Sequence, residues 1–313
     1  MRNRIITVSD SVRQKVATLG EEGLRWLASL GDLIGEVERE WQVIVGPSLE
    51  GGTEAYVAEA RTRDGSEVIL RVAIPEINGN TVLANEVTAL TVADGHGYVR
   101  LLRSDLRRRA LLLERLGIPL REMGYSTRVQ IDIICTTLRG SWVHIPPGSG
   151  LPSGASMAAW LSTFIADLWE HLDRPCSQRA FDKALSFAQS RARAFDPESA
   201  VLVHGDAHNV NTLQDLSQTP CSFKLIDPDG LVAEAAYDLG VLMREWIDEL
   251  VADPVRRSRE RCAYLSHLTG TDTRAIWEWG FIQCMSTGLF LIQVGQERSG
   301  IQMLKVADTW AKA

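Results

Sequence analysis

The spacing of apolar residues changes near residue 117, and that change limits the folds open to this chain. From 41 to 116 they alternate or run in short stretches: WQVIVG, EAYVAEA, EVILRVAI, then YVRLLRSDLRRRALLLERL. Alternation between turn signals marks strands, because successive side chains on a strand face opposite ways. PSLEGGT and RDGS separate the first three runs, and Asp-Gly suits a hairpin because it tolerates positive φ. Residues 80–94, NTVLANEVTALTVAD, predict a helix with Val82, Val87, Leu90 and Val92 among its apolar positions. The final run predicts two strands around a solvated turn at Arg107–Arg109. The segment therefore reads as three strands, a helix and two more strands.

Helical patterns flank it. Residues 10–40 predict short helices, capped at Ser9 or Asp10, with a stripe of Leu24, Leu27 and Leu30. Beyond 117, residues 125–139, MAAWLSTFIADLWEHL and FDKALSFAQSRARAF predict helices, and the Pro/Gly/Ser-rich stretch 140–156 predicts a loop. Two strand-like runs interrupt this region, VLV before His204 and FKLI before Asp227, and helices continue to the end. The expected class is α+β: a small antiparallel sheet with one key helix, and a larger, mainly helical lobe. The expected divisions are 1–40 (N-terminal helices), 41–116 (small lobe) and 117–313 (large lobe). A chain of 313 residues suits two lobes better than one core.

A formal charge of −7 argues against a broad nucleic-acid footprint, which needs a basic face, and favours a cationic small substrate. Cys135, Cys176, Cys221, Cys262 and Cys284 are scattered without a CxxC pair, so they predict reduced, buried thiols in a cytoplasmic protein and argue against zinc. No secretory signal is predicted at the start, and FIQCMSTGLFLIQVG (281–295) predicts a buried helix rather than a membrane span. A monomer or weak dimer is expected.

The chemistry concentrates in VLVHGDAHNVNTLQ (201–214) and CSFKLIDPDG (221–230). Each strand-like run ends near a carboxylate, Asp206 and Asp227, with Asn211 between. Taken singly these are turn residues. Together they suit phosphoryl transfer: Mg²⁺ takes hard oxygen ligands, and a separate carboxylate can orient a hydroxyl and accept its proton.

HGDAHNVN resembles the catalytic loop of the aminoglycoside phosphotransferases, which share the protein-kinase fold, and IDPDG stands where that superfamily has its metal-binding Asp. GGTEAYVAEARTRDGSEVILRV, ALLLERL, PPGSGLPS and IDPDGLVAEAAYDLG extend the resemblance to the streptomycin 6-kinase-like group, the aminoglycoside/hydroxyurea resistance kinases, over about 41–245. The resemblance implies a two-lobed protein-kinase-like fold and ATP and Mg²⁺ as cofactors. It makes Asp206 the base or hydroxyl-positioning residue and gives Asn211 and Asp227 the metal. His204 is expected to brace the loop, His208 to touch substrate or phosphate, and Asp238 to anchor a helix or hold the loop.

On the nucleotide side, Gly51 and Gly52 let the backbone approach phosphates, and Thr53 adds a hydroxyl. The third strand should carry a lysine for the phosphates, but Arg71 stands there, and Lys15, the only Lys of the small lobe, lies far upstream in a helix. Arg71 is the expected phosphate ligand, oriented by Glu86. The backbone at Leu113–Leu116 is expected to meet the adenine edge, with Glu114 a hydrogen-bonding neighbour. The acceptor is expected to be a cationic, sugar-containing antibiotic, with Asp229, Glu234, Glu245, Asp248 and Glu249 as candidate carboxylates. Two other readings stay open: a kinase for another small hydroxylated molecule, and a nucleotide-binding pseudokinase.

Overall fold

The computed structural model describes residues 6–49, 52, 54–76, 81–145, 148–218 and 221–313. The chain divides into two compact units, the first ending at Gly117 and the second beginning at Ile118.

The first unit opens with α1 (Asp10–Thr18) and α2 (Gly20–Trp41). Then come β1 (Val43–Ser48), β2 (Ala55–Thr62), β3 (Glu67–Ala73), α3 (Thr81–Ala93), β4 (Leu101–Asp105) and β5 (Ala110–Glu114). The strands form one antiparallel sheet in the order β1-β2-β3-β5-β4. At the β2–β3 turn Gly65 takes φ +87°, and the Asp64 carboxylate accepts from the Thr62 hydroxyl and the Ser66 N–H.

Strand alternation sorts the sheet into two faces. Tyr56, Ala58, Ala60, Val68, Leu70 and Val72 bury in one core with Val12, Val16, Trp26, Leu30, Ile34 and Val37 of α1 and α2. Truncating a core Leu such as Leu30 should cost about 2–5 kcal/mol. The buried stripe of α2 is Gly23, Trp26, Leu30, Ile34 and Val37, whereas Leu24 is exposed. Of the expected leucine stripe, Leu30 is buried and Leu27 packs against the core, while Leu24 falls off the face, which Trp26 shares.

Two other expectations need correction. In α3 the buried residues are Leu83, Glu86, Ala89, Leu90 and Ala93, while Val82 and Val92 are exposed. A buried carboxylate on the inner face disguised the pattern. Arg108 is not solvated: its side chain is 14% exposed and ion-pairs with Glu36, Glu40 and Asp105, tying α2 to the β4–β5 turn.

The second unit contains a 3₁₀ turn (Leu120–Met123), then α4 (Thr127–Ser141), α5 (Gly154–His171) and α6 (Gln178–Ala194). Four short strands follow: β6 (Val201–Val203), β7 (Thr212–Asp215), β8 (Ser222–Leu225) and β9 (Leu231–Ala233). α7 (Ala236–Arg244), α8 (Ile247–Val251), α9 (Pro254–Thr269), α10 (Thr273–Gln293) and α11 (Glu297–Lys312) complete it. Ser126, Ser153, Ser177, Asp253 and Asp272 each cap a helix by accepting a backbone N–H.

α10 is apolar and long enough to cross a membrane by composition, but it is the core helix of this unit: Trp279, Phe281, Ile282, Cys284, Met285 and Leu289 are buried. α7 packs directly on it. A Cβ at Gly240 would stand 2.8 Å from Trp279 Cβ, and one at Gly280 would stand 2.6 Å from Met243 Cβ, so both glycines are needed for this approach. Cys135, Cys176, Cys262 and Cys284 are buried, and burial pushes the Cys284 thiol up to about 12. Cys221, expected among the buried thiols, is exposed next to β8.

Candidate active site

β6 pairs with β9 (Val203↔Leu231), and β7 pairs with β8 (Thr212↔Leu225). The loop from His204 to Asn211 leaves β6 and enters β7, and Asp227 follows β8. Asn211 and Ile226 therefore flank the last pair of the β7–β8 hairpin, joined by Ile226 N–H to the Asn211 carbonyl at 2.9 Å. This brings Asn211 and Asp227 to one end of the hairpin. Asp227 is exposed and takes φ +55°, a left-handed backbone that Asp tolerates better than most residues.

The loop is held from below. The Asp238 carboxylate, buried in α7, accepts the His204 N–H at 3.0 Å, the Gly205 N–H at 2.8 Å and Trp142 Nε1 at 3.0 Å. Burial pushes its pKa up, against these three donors. Buried His204 Nε2 donates to the Ile226 carbonyl at 2.8 Å, which leaves Nδ1 to accept the Asp206 N–H at 3.1 Å. Burial pulls the His204 pKa down, so the ring is a neutral brace. Gly205 has φ +96°, and a Cβ there would fall 2.7 Å from Asp229 Cβ; Asp229 also donates its N–H to the His204 carbonyl at 2.9 Å. Asn209 Nδ2 bonds Gln130 Oε1 of α4 at 2.6 Å, and Asn211 Nδ2 bonds the Asp206 carbonyl at 3.1 Å.

Asp206 is 38% exposed and presents its carboxylate outward. Oδ2 accepts from His208 Nε2 at 3.2 Å, and Oδ1 accepts from Arg244 Nη2 at 2.6 Å. Burial acts to raise the Asp206 pKa, but the His208 hydrogen bond and the Arg244 charge outweigh it and hold the carboxyl below the usual carboxylate range. His208, expected at substrate or phosphate, bonds Asp206 through Nε2 and accepts the Val210 N–H on Nδ1 at 3.2 Å. Arg244 was missed from sequence. It ends α7, pairs also with Glu245 at 2.9 Å, and is nearly buried. A lone arginine after the apolar run GVLM was the available signal. Glu234 lies elsewhere in the packing: it accepts from Arg191 at 3.2 Å and from Trp279 Nε1 at 2.8 Å, so its carboxylate is engaged within the protein.

In the first unit, Arg71 sits mid-sheet, opposite Val57 and Leu111. Its Nη1 lies 2.8 Å from Glu86 Oε2, with the side chains 14% and 5% exposed. Leu116 is buried, and the Glu114 carboxylate accepts the Arg100 N–H at 2.7 Å. Gly52 accepts hydrogen bonds on its carbonyl from Ser9 and Ser11. Gly51 and Thr53 lie outside the described residues.

Among the described residues, no three His, Cys, Asp or Glu side chains cluster closely enough to hold a metal alone. Asn211 and Asp227 offer hard oxygens of the kind Mg²⁺ accepts, and such an ion completes its shell with phosphate and water rather than a protein cage. The residues present fit that ion.

The five-stranded antiparallel sheet and the mainly helical second unit define a two-lobed fold of the protein-kinase-like class. The chain belongs to the aminoglycoside/hydroxyurea antibiotic resistance kinases, whose family model matches residues 40–295. It is therefore a kinase that transfers phosphate to a hydroxyl group. It is 25% identical over 278 residues to the streptomycin 6-kinase of Streptomyces glaucescens, covering 88% of this chain and 87% of that one. The fold resembles choline kinase LicA from Streptococcus pneumoniae (TM-score 0.60, 14% identity, covering 90% and 99%). It also resembles a thermostable mutant of aminoglycoside phosphotransferase APH(4)-Ia in complex with AMP-PNP and hygromycin B (TM-score 0.55, 12% identity, covering 88% and 96%). At these identities the structural likeness establishes the fold alone.

Proposed function

We propose that this protein is an ATP- and Mg²⁺-dependent kinase that inactivates a cationic aminoglycoside by phosphorylating one of its hydroxyls, with the 6-hydroxyl of streptomycin the favoured acceptor. The observation that carries this reading is the Asp206–Asn211–Asp227 set, held on one hairpin and one loop. Asp206 orients the acceptor hydroxyl and takes up its proton, with Arg244 and His208 fixing the direction of the carboxylate. Asn211 Oδ1 and the Asp227 carboxylate would hold Mg²⁺, which neutralises charge on the β- and γ-phosphates when bound. Arg71, aimed by Glu86, contacts the phosphates of ATP and screens negative charge as the γ-phosphoryl moves. Gly51, Gly52 and Thr53 line the triphosphate, and the backbone from Leu113 to Leu116 meets the adenine.

Asp229, exposed and packed against the catalytic loop, is the acidic group we assign to the cationic acceptor. Glu234 keeps its internal partners and is not assigned. We place the enzyme in the cytoplasm as a monomer or weak dimer, working without nucleic acid or membrane.

Transfer of label from γ-labelled ATP to a panel of aminoglycosides tests this. Incorporation into streptomycin supports the reading. Incorporation only into another hydroxylated compound moves the substrate assignment. ATP binding without transfer to any acceptor rejects the kinase in favour of a binding role.

A further inference from the structure

Lys15 was set aside above as remote from the nucleotide side, yet the fold brings it there. Lys15 Nζ lies 3.1 Å from Glu54 Oε1, across the turn between β1 and β2. One helical turn earlier, Ser9 Oγ and Ser11 Oγ each donate to the Gly52 carbonyl at 3.1 Å. Ser9 Oγ also accepts the Val12 N–H, so the cap of α1 and the tie to Gly52 use one oxygen as acceptor and donor. α1 is a firm anchor for these contacts, because Val12 and Val16 are buried in the core shared with the sheet. Beside this turn, Leu49 N–H donates to the Val57 carbonyl at 2.8 Å, and Ile74 N–H to the Glu54 carbonyl at 3.0 Å. Gly52 is thus tied to the start of α1 and its cap.

We propose that Ser9, Ser11 and Lys15 are positioning residues for the nucleotide: α1 grips Gly52 and Glu54 and presents the β1–β2 turn to the triphosphate of ATP. The inference rests on the reading of Gly52 as part of the phosphate-binding turn. None of the three touches the nucleotide. Their effect is to fix Gly52 and Glu54 in advance, since groups held beforehand have less freedom to lose on binding.

Surface position makes the idea testable without unfolding the protein. Lys15 and Glu54 are 45% and 59% exposed, and exposed ion pairs add little to stability. Ser11, unlike Ser9, does not cap the helix. A Ser11→Ala/Lys15→Glu variant should therefore keep its melting temperature. Its dissociation constant for Mg-ATP, measured by calorimetry, should rise about fivefold, from one lost hydrogen bond and one reversed charge. In turnover with streptomycin as acceptor, KM for ATP should rise equally while kcat and KM for streptomycin hold. Adding Glu54→Lys restores an ion pair of opposite sense and should recover most of the affinity, which a general loss of folding would not permit. Wild-type-like ATP affinity in the folded double variant overturns the proposal, as does failure of Glu54→Lys to recover any of a measured loss. Absence of ATP binding by the wild-type protein would instead overturn the nucleotide reading beneath it, and this inference with it.

Discussion

Each unit carries an arginine–carboxylate pair at the residues we assign to the chemistry, and in our reading the two pairs work in opposite senses. In the first unit, Arg71 is the working group and Glu86 aims it, at 2.8 Å across β3 and α3. In the second, Asp206 is the working group and Arg244 aims it, at 2.6 Å from the end of α7. Glu86 is almost fully buried, as suits a group that never meets ligand, whereas Asp206 is the more exposed member of its pair. The same contact thus serves a cation in one place and an anion in the other, and exposure tells which partner does the work.

That comparison orders the effects of substitution. Asp206→Ala should cost the most, lowering kcat about 10²–10⁴-fold while Mg-ATP affinity stays near wild type, as steady-state kinetics and calorimetry would register. Arg71→Met should raise KM for ATP about 10–100-fold by removing charge-assisted contacts, with Arg71→Lys recovering much of it. Arg244→Met should lower kcat about tenfold and shift the pH profile. Asp206 is held below its usual pKa, so its ionised form and the stability of the pair persist above the unfolded value and fade as pH falls through the lower folded value. Losing the Arg244 cation raises that folded value, so the acid limb of kcat/KM should move to higher pH. Glu86→Gln should have the smallest effect, about threefold in KM for ATP, because the hydrogen bond to Arg71 survives in neutral form. If Arg244→Met proved more damaging than Asp206→Ala, or Glu86→Gln more than Arg71→Met, the assignment of roles within that pair would be reversed.

The two pairs also differ in how far they could be read beforehand. The Arg71–Glu86 pair was legible from the resemblance, which calls for a cation on the third strand and an acid on the helix that follows. Asp206, Asn211 and Asp227 were picked out by spacing and resemblance, and the short β7–β8 hairpin brings Asn211 and Asp227 to one end. Arg244 was hidden: it reaches Asp206 through the packing of α7, and tertiary packing leaves no local trace. The same reason conceals the role of Lys15, whose partner Glu54 belongs to another element. β7 and β9 are only 4 and 3 residues long, too brief for alternation to register. In α3 the buried Glu86 broke the apolar stripe, so the chemistry itself obscured the helix face. Gly51 and Thr53 remain assignments from sequence.

The grip of Asp238 on two successive backbone amides carries a consequence for how drug tolerance would be gained or lost. The shape of this loop rests on Asp238, and so on the close packing of α7 against α10. Substitutions at Gly240 or Gly280, inside the helical packing, should therefore silence the protein as changes at the loop do, and compensating changes should arise in the helical interior.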